Sequence, residues 1–119
     1  MREPIRDRGR LEHMLEAMDN LKEFTEGVSY EELVSNKILC HAVVHDIQVF
    51  GEAAYKLTKD FCTTHPEVPW RHIIDLRHVL VHDYFRIDFS EVWNIVQNDL
   101  PPLREQIAAY IAEFPEDGE

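Results

Sequence analysis

The chain has 119 residues, 45% of them hydrophobic and only 4 glycines, which suits one domain around one core and leaves too little for two. No stretch approaches the roughly 18 consecutive apolar residues of a membrane span, and Met1-Arg2-Glu3-Pro4-Ile5-Arg6-Asp7 lacks the apolar centre of a signal peptide, so a cytoplasmic protein is expected. A formal net charge of −11 argues against a nucleic-acid binder that works by long-range attraction, and suits docking onto a basic partner protein.

From Asp7 to Thr25, apolar residues fall at Leu11, Met14, Leu15, Met18, Leu21 and Phe24, the three-and-four spacing of a helix with one buried stripe. The charged run from Arg2 to Arg10 reads as its solvated start. Gly27 sits where a left-handed C-cap is wanted, and Ser29-Tyr30-Glu31-Glu32 reads as a capping box opening a short helix. Ser35-Asn36 offers a second start.

Residues 37–61 read as one long helix, apolar on more than one side through Ile38, Leu39, Ala42, Val43, Ile47, Val49, Phe50, Ala53, Ala54, Leu57 and Phe61. Such a helix is central to a bundle or shared with a second subunit. The small residues of Gly51-Glu52-Ala53-Ala54 let another backbone come close, since helix propensity alone would not select Gly51. His41 and His45 are four apart, but no glutamate of a zinc protease lies between them. Cys40 and Cys62 form neither a CxxC nor a zinc knuckle, so they are expected to be packed thiols.

His65-Pro66-Glu67-Val68-Pro69 is a stiff connector, and Trp70 to about His82 is the next helix. Trp70 and Trp93 are expected in the core rather than stacked on bases. After the connector Phe85-Arg86-Ile87, Asp88-Phe89-Ser90-Glu91 starts a further helix, kinked or broken at Pro101-Pro102 and resumed to Phe114. An acidic tail follows. With no alternating pattern anywhere, the expected architecture is an all-α, up-and-down bundle of four to five helices.

The chemistry concentrates in Arg77-His78-Val79-Leu80-Val81-His82-Asp83-Tyr84. A guanidinium offers a fork of donors matched to a phosphate, and an imidazole exchanges a proton near neutral pH. Arg71 and Arg86 flank the segment and make it less acidic than the rest, so they are the candidates for contacts with the RNA backbone. On a regular helix Arg77 and His82 leave the axis about 140° apart. Either the helix tightens or unwinds near Val81-His82, or the two side chains meet counterparts from a second copy across a two-fold axis. Such a cleft suits RNA cleavage by the 2′-hydroxyl, with histidine as base and acid and arginine on the phosphorane. Tyr84 could orient the phosphate, and Asp83 could influence the imidazoles. Asp75, His78 and His82 share one helical face and offer a divalent-metal alternative, but no fourth ligand is evident.

The pattern of arginine, four residues, histidine, one residue and tyrosine resembles the signature of the HEPN superfamily, in particular the HepT-like toxins of toxin–antitoxin pairs. The similarity runs over residues 7–111. Phe50-Gly51-Glu52-Ala53-Ala54 is similar to the family's Ile-Gly-Glu-Ala-Ala element. Pro69-Trp70-Arg71-His72-Ile73-Ile74 resembles its Pro-Trp-Arg block, and Asn98-Asp99-Leu100-Pro101-Pro102-Leu103 the start of its last helical stretch. His78 stands where the family usually has Asn. The resemblance implies a homodimeric, metal-independent RNase toxin with Arg77 and His82 as the catalytic pair and no cofactor. It further implies a type VII-like system, in which an MntA-like nucleotidyltransferase antitoxin adenylylates the tyrosine that maps to Tyr84, and a higher assembly with that antitoxin. A non-catalytic module that binds a nucleotidyltransferase is the alternative.

Overall fold

The computed structural model describes residues 6–83 and 86–114. Seven α-helices follow in order: α1 Asp7–Thr25, α2 Tyr30–Ser35, α3 Lys37–Tyr55, α4 Lys59–Thr64, α5 Trp70–His82, α6 Phe89–Asn94 and α7 Leu100–Ala112, with a π-helical turn, Ile95–Asp99, joining α6 to α7. No strand occurs among the described residues. The expected all-α bundle is present.

Helix α3 is the centre. It packs along α1 on one side and α5 on another, while α7 lies against α1. That placement explains its two-sided apolarity within a single chain: Val43, Val44, Ile47, Phe50, Ala53 and Ala54 are all buried. Leu11, Met14 and Leu21 from α1, Leu33, Leu80 and Ile107 complete the core. Each of these side chains larger than alanine contributes about 1.5–3 kcal/mol on removal from water. None of the described helices is long and apolar enough to cross a membrane.

The local start and stop signals operate as expected. Ser29 Oγ accepts from the Glu32 amide at 3.1 Å and Glu32 Oε1 accepts from the Ser29 amide at 2.8 Å, closing the capping box. Asn36 caps α3 through the Leu39 amide at 3.0 Å, and Gly27 takes φ +74°. Trp70 is in the core, where its Nε1 donates to the His65 carbonyl at 2.9 Å, and half-buried Trp93 meets Tyr30 edge-on at 6.2 Å. Both cysteines are free thiols, and burial pushes each above its ordinary pKa, Cys62 with help from Asp7.

Two elements differ from the sequence reading. The helix expected over 37–61 ends at Tyr55, and α4 begins anew after an extended Thr58, whose hydroxyl accepts from the Phe61 amide at 3.2 Å. The break is held from a distance: Asp7 accepts from the Thr58 amide at 2.9 Å and from its hydroxyl at 2.7 Å. The chain thereby turns while still burying Leu57 and Phe61. At Pro101-Pro102 the helix is not broken. The wider π turn just before them, closed by the Leu100 amide on the Ile95 carbonyl, adjusts the ladder where two N–H groups are missing, and both prolines sit exposed in the first turn of α7.

Candidate active site

Helix α5 stays helical through His82, so the unwinding considered near Val81-His82 does not occur. One of its last carbonyls, that of Leu80, is satisfied by Gln48 Nε2 at 3.0 Å, which ties the end of α5 to α3. Arg77 and His82 therefore leave the helix in different directions.

Arg77 turns toward α3. Its Nη2 donates to Glu52 Oε1 at 2.7 Å, its Cζ lies 5.6 Å from the centre of the Tyr55 ring, and only 25% of its side chain is exposed. The approach requires Gly51, because a Cβ there would overlap the Cβ of Arg77. A half-buried guanidinium held by a carboxylate on one side and a ring on the other has lost most of its rotamer freedom, a condition for aiming a donor fork.

His82 is exposed at the end of α5, one turn after His78, and the two rings lie 4.5 Å apart at 46°. One chain therefore supplies a pair of imidazoles on one face and a fixed guanidinium on another. Asp83 pairs with Arg86 at 3.6 Å, and Arg71 with Asp75 at 3.6 Å. The Arg71 and Arg86 side chains are 90% and 81% exposed, so these pairs are weak and an incoming phosphate can displace them. With Asp75 turned to Arg71, no three carboxylate, imidazole or thiol groups converge as metal ligands among the described residues. Tyr84, the expected acceptor of AMP, lies outside the described residues.

Arg77 also lines a groove of about 330 Å³ between α1, α3 and α5, together with Arg10, His13, His45 and Glu52. Here the sequence reading needs correction. Arg10 is half-buried rather than fully solvated: its Nε is buried and, among the described residues, has no hydrogen-bond partner. The signal was present in the spacing, since Arg10 and His13 are three apart on one helix, and His45 and Glu52 seven apart on another. What spacing does not show is that the two faces meet. A larger cavity of about 410 Å³, between the end of α1 and α7, includes none of these residues.

A family model described as Ribonuclease HepT-like matches residues 14–110, which span α5 and the whole of the Arg77–His82 segment. The chain belongs to the HepT-like ribonuclease family. It is 35% identical over 94 residues to "Putative RNase MJ1380" of Methanocaldococcus jannaschii, covering 79% of this chain and 86% of that protein. Identity to "Putative RNase TTE0752" of Caldanaerobacter subterraneus is 34% over 97 residues, with 82% and 87% covered. "Probable ribonuclease HepT" of Thermococcus cleftensis is 35% identical over 94 residues, with 79% and 86% covered. No solved structure matches the chain significantly. Membership of the HepT-like family supports a ribonuclease, and the matched span holds every groove residue named above except Arg10 and His13.

Proposed function

We propose that this HepT-like protein is a metal-independent RNase toxin whose cleft is completed by a second copy of the chain, with Arg77 and His82 as the reacting pair. The observation that carries the reading is the fixed guanidinium of Arg77 five residues from an exposed imidazole at a helix end, with a second imidazole, His78, 4.5 Å from the first. Those are the groups that transesterification of RNA needs. One neutral imidazole takes the proton of the 2′-hydroxyl as its oxygen attacks phosphorus. A protonated imidazole gives a proton to the 5′-oxygen as the P–O5′ bond breaks. The products are a 2′,3′-cyclic phosphate and a 5′-hydroxyl, and Arg77 stabilises the charge on the phosphorane between them. Arg71 and Arg86 hold flanking backbone once a phosphate displaces Asp75 and Asp83 from them.

Dimerisation is part of the proposal because α5 sends Arg77 and His82 apart, while Val79 and Val81 between them are 43% and 42% exposed. A two-fold axis beside α5 would cover these valines and bring the arginine of one protomer to the histidine of the other. The antitoxin completes the reading. An MntA-like nucleotidyltransferase would transfer AMP to Tyr84, adding bulk and negative charge two residues along the chain from His82 in this type VII-like toxin.

The net charge of −11 favours a second reading, a non-catalytic module that docks on a nucleotidyltransferase. Cleavage of labelled RNA in the presence of EDTA separates the two. We expect cleavage to persist in the chelator and to fall at least ~10²-fold in His82→Ala and Arg77→Ala. Absence of cleavage by the wild-type dimer would leave the docking module, and cleavage abolished by EDTA and restored by a divalent cation would overturn the metal-independent mechanism.

A further inference from the structure

We propose that the groove between α1, α3 and α5 is a second phosphate subsite, in which Arg10, His13 and His45 hold a phosphodiester of the RNA strand next to the one engaged by Arg77. The assignment of RNA as ligand rests on the nuclease reading above; the anion site itself rests on the groove.

Four side chains able to carry positive charge, Arg10 and His13 from α1, His45 from α3 and Arg77 from α5, line one groove of about 330 Å³ in a chain whose net charge is −11. The only carboxylate among its lining residues is that of Glu52, and it is already engaged by Arg77 at 2.7 Å and by Lys56 at 3.3 Å. Among the described residues Arg10 has no such partner. Its Nε is buried and makes no hydrogen bond, and among the described residues neither His13 nor His45 has a hydrogen-bond or ion-pair partner. Leaving a buried donor of a charged group unpaired is unfavourable, so a fold keeps one where an acceptor arrives later.

The acceptor is defined by the donors. A guanidinium and two imidazoles around a groove open to solvent suit a compact anion with two outward oxygens, which is a phosphodiester, better than a carboxylate on a folded protein surface. Because Arg77 lies on the same groove, a strand whose scissile phosphate rests at Arg77 places a neighbouring phosphate beside Arg10 and His45. Arg10 and His13 are therefore binding residues that position the strand; the reacting groups remain on α5.

Binding of a fluorescent single-stranded RNA, measured by anisotropy over a range of KCl in the full-length His82→Ala protein, tests this without turnover. Arg10→Gln and, separately, the double variant His13→Gln/His45→Gln should weaken binding about tenfold, the size of one charge-assisted hydrogen bond. Arg10→Gln should also lower the slope of log affinity against log salt by about 0.7, the value for one lost phosphate contact on a single strand. Arg10→Lys should recover the slope and part of the affinity. Unchanged affinity and slope in variants with wild-type melting temperature would overturn the subsite, as would failure of the protein to bind RNA. If low-millimolar inorganic phosphate protects Arg10-dependent melting but RNA binding is insensitive to Arg10, the groove takes a small anion and the RNA assignment is overturned. RNA binding that depends on Arg10 in a protein that cleaves nothing would keep the subsite and remove the nuclease reading; cleavage with binding indifferent to Arg10 would do the reverse.

Discussion

Gly51 of α3 and Arg77 of α5 meet so closely that a Cβ on the glycine would overlap the Cβ of the arginine and lie 3.0 Å from its Cγ and 3.4 Å from its Cα. The helix pair and the guanidinium share one cause. Removing the side chain at position 51 lets α5 approach, and the approach delivers Arg77 to Glu52 and Tyr55.

Gly51→Ala is accordingly expected to destabilise the fold although alanine is the better helix former. The helix-propensity gain is about 1 kcal/mol, whereas overpacking against a neighbour fixed at its own Cβ costs about 1–3 kcal/mol and moves α5. Chemical denaturation should show the net loss, and RNA cleavage should fall further than stability does because Arg77 is displaced. A variant as stable and as active as wild type would show that the contact is relieved without consequence.

Val79 and Val81 are the exposed apolar residues of α5. If they lie at a two-fold interface, Val79→Asp places a carboxylate there and should convert a micromolar dimer into a monomer by light scattering, with loss of cleavage on the order of that of His82→Ala. Retained cleavage by a proven monomer would exclude a composite site.

Incubation with the cognate nucleotidyltransferase, Mg²⁺ and ATP should raise the intact mass by one or more adenylates, and Tyr84→Phe should abolish the gain. Cleavage should decline in step with modification, because each adenylate brings a phosphate that competes for the guanidinium donors. Stoichiometric modification with unaltered cleavage would remove the regulatory role while leaving the nuclease in place.

His65 predicts a pH dependence of stability. Its ring stacks on Phe61 at 3.9 Å, Nδ1 faces the Phe61 carbonyl at 2.9 Å and Nε2 faces Glu113 at 3.1 Å. Burial works to lower its pKa, but the hydrogen bonds to Phe61 and Glu113 and the charges of Glu113 and Glu67 outweigh it and raise the pKa overall. A folded-state pKa above the unfolded value of about 6.5 gives stabilisation that is complete below that pH and is lost as the pH rises through the folded value. The difference in melting temperature between wild type and Glu113→Gln should be larger near pH ~6 than near pH ~8.5. An equal difference at both would mean that the pair contributes no charge-dependent stability.

The features that could be read from the chain are those whose hydrogen bonds close within a turn. Ser29 and Glu32, Asn36 and Leu39, and the positive φ of Gly27 are separated from their partners by three residues or fewer, so residue type and spacing suffice. The same locality made α1 and α5 legible over their whole lengths and gave the divergence of Arg77 and His82 directly from the helical period. The break before α4 was not legible. Leu57 and Phe61 continue the apolar stripe of α3, and the groups that end the helix are on Asp7, 51 residues away in sequence from Thr58. Arg10 was misread for the same reason: beside Arg2, Arg6 and Arg8 it looks like one more solvated charge, and only the packing of α1 on α3 turns it into the groove with His45 and Arg77. Periodicity determined which face each helix buries; which residues from different helices then share a site was decided by contacts too distant in sequence for any local pattern to encode.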